Sequence, residues 1–222
     1  MKKFLLIMLV IGGLMTVGLS ACTSSEVKKG TREDIEQQLD EMKKVYPTKN
    51  VEDLFEIFPD GFEIEQTYIK NEFTDDAEYT KLVLIGNSEN RSISGKLSRG
   101  EEIIDVTMQK GTLLTNNKQK ISDIWPYKGF IFKFYEINKE TLNQLDMESK
   151  RYIGENGGYE ISYNSGNQSV KNFLNISLDR NFQLHLTGSK GEKNYRHAVV
   201  IRWKRNSFSE IVKQLKKGGE YE

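Results

Sequence analysis

Phe62-Glu63-Ile64-Glu65-Gln66-Thr67-Tyr68 steps through Phe62, Ile64, Gln66 and Tyr68 with polar residues between them. That is the period of two that turns successive side chains to opposite faces of a sheet. The stretch Lys81 to Ile85, flanked by Tyr79, is a compact apolar run, and the turn cluster Asn87-Ser88-Glu89-Asn90 follows it. Beyond the turn, Arg91 to Ser98 places Ile93 and Leu97 on one side with Gly95 between them, so a hairpin is expected. Ile103 to Met108 adds an alternating strand after an Arg99-Gly100 turn.

Working outward, the last third of the chain reads as a further meander. Strands are expected over Gly158 to Tyr163, Phe173 to Leu178, Phe182 to Leu186 and Tyr195 to Trp203, separated by Asn164-Ser165-Gly166-Asn167, Asp179-Arg180-Asn181 and Gly188 to Gly191. Ser207 is suited to cap a short terminal helix through Leu215, ended by Gly218-Gly219. Toward the N-terminus, Thr31 is an N-cap, Glu33, Asp34 and Glu36 complement the dipole, and Ile35, Leu39, Met42 and Val45 recur at helical spacing until Pro47. That spacing predicts a helix over 32–45. Asn50 opens a helical turn that Pro59-Asp60-Gly61 ends, and Asn138 to Lys150 forms a middle helix with Leu142, Leu145 and Met147 inward. From Ile121 to Ile137 the chain is densely aromatic but broken by Pro126 and Gly129, and helix and strand fit it equally. Hairpins with helices at the margins predict an α+β fold: an antiparallel meander with an N-terminal, a middle and a short C-terminal helix.

The first residues carry a different message. Lys2 and Lys3 precede an apolar run from Phe4 to Gly18, and Leu19-Ser20-Ala21-Cys22 follows. Two lysines retained inside, a short apolar core and small residues before a cysteine have the form of a bacterial lipoprotein signal. Cleavage between Ala21 and Cys22, with a diacylglycerol thioether on Cys22, leaves a lipid-bearing N-terminus. At roughly 0.8 kcal/mol per buried CH₂, two acyl chains hold where one is marginal. An uncleaved membrane helix fits less well, because the run is shorter than the roughly twenty residues a span needs and contains Gly12, Gly13 and Gly18. The expected organisation is a signal over 1–21, a lipidated flexible tether over 22–30 and one domain over 31–222.

Basic and acidic residues balance at 32 each, which gives no electrostatic footprint for nucleic acid. The single cysteine is assigned to lipid, so no disulfide, thiol nucleophile or cysteine metal site is expected. His185 and His197 are the only histidines; they form a metal pair only if their strands adjoin and a carboxylate joins them. Asp75, Asp76 and Glu78 lack the spacing of a calcium loop, and Gly86 with Gly95-Lys96 lacks that of a phosphate loop. Arg202, Lys204, Arg205, Lys213, Lys216 and Lys217 form a basic end that reads as a solvated face. Tyr127, Tyr135, Tyr152, Tyr159 and Tyr163 are numerous enough to supply a protein-binding patch if exposed, but burial in the core is the expectation for most of them. No catalytic residue, metal or cofactor is expected.

Several stretches resemble the staphylococcal tandem-type lipoproteins, a family of clustered paralogues. The likeness runs from the signal through Tyr46-Pro47-Thr48-Lys49-Asn50-Val51-Glu52-Asp53-Leu54-Phe55 and Asp60-Gly61. It continues over Thr67 to Gly95, including Lys70-Asn71-Glu72-Phe73, Leu82 to Ile85 and Asn87 to Ser94, and over Gly158 to Asn164 and Gly188 to Trp203. Only Cys22 maps as a functional residue. The resemblance implies an α+β domain on the outer face of a Gram-positive membrane, from a family linked to immune sensing of its lipid and to host-cell entry. The leading expectation is thus a non-enzymatic surface lipoprotein that binds host proteins or receptors. The alternative is an envelope lipoprotein that binds a ligand in an apolar cavity lined by the Trp125 to Tyr135 aromatics.

Overall fold

The alternation that starts at Phe62 becomes the first strand of a ten-stranded antiparallel sheet in a computed structural model describing residues 28–116, 121, 125, 127, 129–153, 158–189 and 195–216. The first five strands are β1 (Phe62–Lys70), β2 (Glu78–Asn87), β3 (Ser92–Arg99), β4 (Glu102–Gln109) and β5 (Thr112–Thr115). The last five are β6 (Asp146–Ile153), β7 (Gly158–Ser165), β8 (Phe182–Ser189), β9 (Arg196–Trp203) and β10 (Asn206–Gln214). The order across the sheet is β5-β4-β3-β2-β1-β10-β9-β8-β7-β6. Two five-stranded meanders therefore meet where β1 pairs with β10, and the β5–β6 connection must travel from one edge of the sheet to the other. That connection carries the aromatic segment.

Register explains which side of the sheet is dry. Ile104, Leu97, Leu82, Gln66, Glu210, Val199, Leu186 and Ile161 stand opposite one another in one row across eight strands. All but Ile104 are buried. Alternate positions along the strands face the other way, and several of them carry charge: Lys213 Nζ lies 2.6 Å from Glu63 Oε1, and Lys81 Nζ lies 3.1 Å from Glu65 Oε2. One face is packed and the other is wetted, as alternation dictates for an antiparallel sheet.

Short helices close the packed face. Thr31 caps α1 (Arg32–Gln38), its hydroxyl accepting from the Asp34 N–H at 3.2 Å, and the helix tightens into a 3₁₀ segment over Leu39–Lys44. Ile35, Leu39 and Met42 are buried, and the hydroxyls of Tyr163 and Tyr159 pin the helix to β7 by donating to Glu36 Oε1 (2.8 Å) and the Gln38 carbonyl (2.9 Å). A 3₁₀ turn over Val51–Asp53 leads into α2 (Leu54–Ile57), which sets Phe55 against Phe62 with centroids 4.8 Å apart. The remaining helices are α3 (Lys139–Asn143) and α4 (Gln168–Leu174).

The expected α+β balance is corrected by this arrangement, which is dominated by one sheet. The short C-terminal helix is absent: residues 206–214 are β10, a central strand. The middle helix stops at Asn143 and its second half is edge strand β6. The strand expected over Phe173 to Leu178 gives way to α4, because Asn167 accepts from the Val170 N–H (3.1 Å) and caps a helix there. Among the described residues of 121–137, neither helix nor strand prevails; the only regular piece is a 3₁₀ turn at Ile131–Lys133.

Candidate functional site

The aromatic connection lies on the packed face at the seam between the meanders. Trp125 and Tyr127 pack on Phe208 of β10, with centroids 6.2 and 5.1 Å away, and Tyr127 also meets Tyr68 of β1 edge-on at 5.3 Å. Phe173 of α4 contacts Phe208, Tyr127 and Phe134 at 5.6, 5.6 and 5.2 Å, so one aromatic cluster joins the connection, α4 and the seam. Burying such rings stabilises by roughly 1.5–3 kcal/mol each.

A carboxylate holds this cover in place. Glu210 is wholly buried, and four donors converge on it. Gln66 Nε2 (2.7 Å) and the Ile131 N–H (2.8 Å) donate to Oε2, while the Phe132 N–H (3.0 Å) and the Tyr46 hydroxyl (3.2 Å) donate to Oε1. Gln66 Nε2 also donates to the Gly129 carbonyl at 3.1 Å, and the Thr48 N–H donates to the Phe132 carbonyl at 2.7 Å. Burial pushes the Glu210 carboxyl up to about 7, although the four donors favour its ionised form. Burial likewise raises the Tyr46 phenol well above its ordinary value, keeping it a neutral donor. Among the described residues, Gln66 Oε1 and Trp125 Nε1 are buried without a partner.

Next to the cover is a half-open cleft of about 380 Å³. Phe134, Tyr135 and Leu145 line it with apolar surface, the buried Ser165 lies among them, and the more exposed Glu136, Thr141, Gln144 and Asn167 supply its polar side. One of its lining rings, Phe134, is continuous with the cluster through Phe173. Burial drives the Tyr135 phenol up to about 12, so it too stays neutral.

The residues singled out in the sequence are scattered by the fold. Ala21, Cys22 and Lys217 lie outside the described residues. Although β8 and β9 adjoin, His185 and His197 face opposite sides of the sheet, and no group of three or more His, Cys, Asp or Glu among the described residues could hold a metal ion. His197 is buried, its Nε2 2.7 Å from the Tyr159 hydroxyl, and burial lowers it to about 4. His185 sits on the wet face, where Ser162 Oγ (2.7 Å) and Glu160 Oε1 (3.5 Å) both approach the same nitrogen, Nδ1. A nucleophile–base–acid relay needs them on opposite nitrogens. In the basic end, Arg202 approaches Glu72 at 3.7 Å and Lys213 pairs with Glu63. Tyr127, Tyr135, Tyr159 and Tyr163 are buried, leaving only Tyr152 of that set partly exposed beneath Lys29. Glu210, Gln66 and Tyr46 are the residues sequence reasoning missed; the signal was a carboxylate at an inward position of Phe208-x-Glu210-x-Val212.

Among the described residues, no helix is long and apolar enough to cross a membrane. No family model and no curated protein sequence matches the chain, so the tandem-type resemblance rests on the residues quoted above. Among solved structures, the chain is similar to the Mycobacterium tuberculosis lipoprotein LppX, with a TM-score of 0.44 and 9% identity over 82% of this chain and 94% of that one.

Proposed function

We propose that this chain is a non-enzymatic envelope lipoprotein, tethered through Cys22 to the outer face of the membrane, that binds a small amphiphile in the cleft beside its aromatic cover. The supporting observation is the cleft itself: apolar walls at Phe134, Tyr135 and Leu145 run into a continuous ring cluster, and neutral amides of Gln144 and Asn167 lie on its polar side. An apolar tail enters toward Phe134, and a polar head stays with the amides and Glu136. The test is thermal unfolding against a panel of amphiphiles. A ligand present at a hundredfold over its Kd stabilises by about 2.7 kcal/mol, a rise of roughly 5–10 °C for a domain of this size. Leu145→Arg, at a partly exposed wall position that packs against the core, removes that rise when each protein is compared with its own unliganded melting temperature. No shift with any amphiphile refutes the proposal.

A second reading, a protein-docking role toward host partners, is favoured by Phe73. This side chain is 87% exposed at φ 68° on the β1–β2 loop beside Asp75 and Asp76, a left-handed conformation that bulky residues rarely adopt. Binding of the wild-type protein to host cells, lost in a folded Phe73→Gly variant, is its expected signature.

A further inference from the structure

We propose that Arg32 is a positioning residue for the cleft: its guanidinium ties the α3 wall to the β7 wall and so restricts the cleft to ligands with a single acyl chain. The inference rests on the amphiphile-binding reading. Arg32 is the first residue of α1 and stands outside the cleft's lining. Its Nη2 donates to the Leu142 carbonyl at 2.9 Å, and that same oxygen accepts the Leu145 N–H at 3.0 Å. Leu145 lines the cleft, as do Thr141 and Gln144 beside it. Among the described residues, the other hydrogen bonds of α3 stay within five residues along the chain.

The opposite wall is reached through Glu36. Arg32 Nε donates to Glu36 Oε1 at 2.7 Å, and the Tyr163 hydroxyl donates to the same oxygen at 2.8 Å. The guanidinium also lies over the Tyr163 ring, 5.6 Å from its centroid. Tyr163 is wholly buried in β7, two residues before Ser165, and Ser165, Gly166 and Asn167 line the cleft. One cation thus reaches both walls, a task for a rigid fork of N–H groups rather than for a single ammonium.

The walls are joined a second time where Asp146, at the start of β6, pairs with Asn164 of β7. One tie is a pivot; two fix a spacing. At about 380 Å³ the cleft stands near the lower end of the roughly 300–1,000 Å³ of small-molecule sites, room for one chain rather than two. Freeing the Leu142 carbonyl lets the Leu145 turn swing on the β6–β7 pairing, and a broader ligand enters.

Calorimetric titration of the purified protein with two lipids of one headgroup, lauroyl-lysophosphatidylcholine and diheptanoylphosphatidylcholine, both below their micelle concentrations, reads that spacing. The wild type is expected to bind the single-chain lipid about tenfold more tightly, and Arg32→Gln to reduce the preference to about twofold. A loss of stability alone weakens both lipids alike and leaves their ratio unchanged. The Leu145 methyl resonances are expected to shift in the same variant without ligand. Equal affinities in the wild type, the wild-type ratio retained in Arg32→Gln, or unmoved methyls each overturn the proposal. Should Arg32→Gln not fold, Arg32→Lys is read in its place, because it keeps the pairing with Glu36 but has no second nitrogen for Leu142. Methyls that move while neither lipid binds the wild type uphold the tie between the walls and overturn the amphiphile reading.

Discussion

The Gln66 amide donates to the Glu210 carboxylate at 2.7 Å from the position directly opposite it in the β1–β10 register, in the middle of an otherwise apolar row. The two meanders are thus joined at their seam by a polar pair, and the same amide reaches up to the Gly129 carbonyl of the cover. Seam and cover share one carboxylate.

Global stability is expected to depend on that group. Its folded-state value of about 7 exceeds the ordinary 4.5, so its contribution is fully present below about pH 4.5 and is lost as pH rises through about 7. Urea titrations should show wild-type stability falling over that window by an amount on the order of 3 kcal/mol. Glu210→Ala removes the dependence and, at about pH 5, costs roughly 3–5 kcal/mol by stranding buried donors.

His197 works in the opposite sense. Burial depresses it to about 4, so its neutral form contributes stability above the ordinary value near 6.5, and that stability is lost as pH falls through about 4. Its ring resonances are expected to titrate with a midpoint near 4. A midpoint above about 6 means that the Tyr159 contact and its burial do not persist in solution.

Gly95 is fixed by close approach. A Cβ there would overlap the Val83 carbonyl oxygen of the neighbouring strand, and relief would require moving backbone in the β2–β3 pair. Gly95→Ala is expected to lower stability by about 3 kcal/mol or more, visible as a drop in melting temperature.

Phe73 predicts a gain. Its loop is held by the Thr74 and Ala77 N–H groups, which donate to the Asn71 and Thr74 carbonyls, and by the Glu72 N–H, which donates to the Arg205 carbonyl at 2.6 Å. The left-handed backbone is therefore imposed on an exposed ring. Phe73→Gly should raise unfolding stability by about 0.5–1 kcal/mol, and a loss of stability would show that the ring contributes contacts of its own.

Cys22→Ala should abolish incorporation of labelled palmitate and release the chain from membranes. Unchanged label would remove the tether from the proposed function.

How much of this was legible in the sequence varies by element, for physical reasons. Phe62 to Tyr68 and the Lys81–Ser98 hairpin are readable because residues alternate with a period of two, mostly apolar on one face, and the Asn87–Asn90 turn cluster divides the hairpin. A helix was expected where β10 lies because Ser207 suits an N-cap and Gly218-Gly219 a stop; Phe208, Ile211, Val212 and Leu215 also fit helical spacing, and Glu210 breaks the apolar alternation that marks a strand. The charge that hid the strand is the charge that organises the site. α4 was hidden by Asn167, a residue equally at home in a turn and at a helix N-cap. The aromatic connection showed its burial in composition, but not its path, which depends on a carboxylate about eighty residues later in the chain.

The entry of the chain into the folded body sets a leash. Lys150 donates to the Gly30 carbonyl at 2.9 Å and Lys29 lies over the Tyr152 ring, so the backbone is moored at edge strand β6. From Cys22 to Lys28 six residue steps reach at most about 20 Å. With Cys22 lipidated as proposed, the β6 margin, one edge of the sheet, is held within about 20 Å of the headgroups.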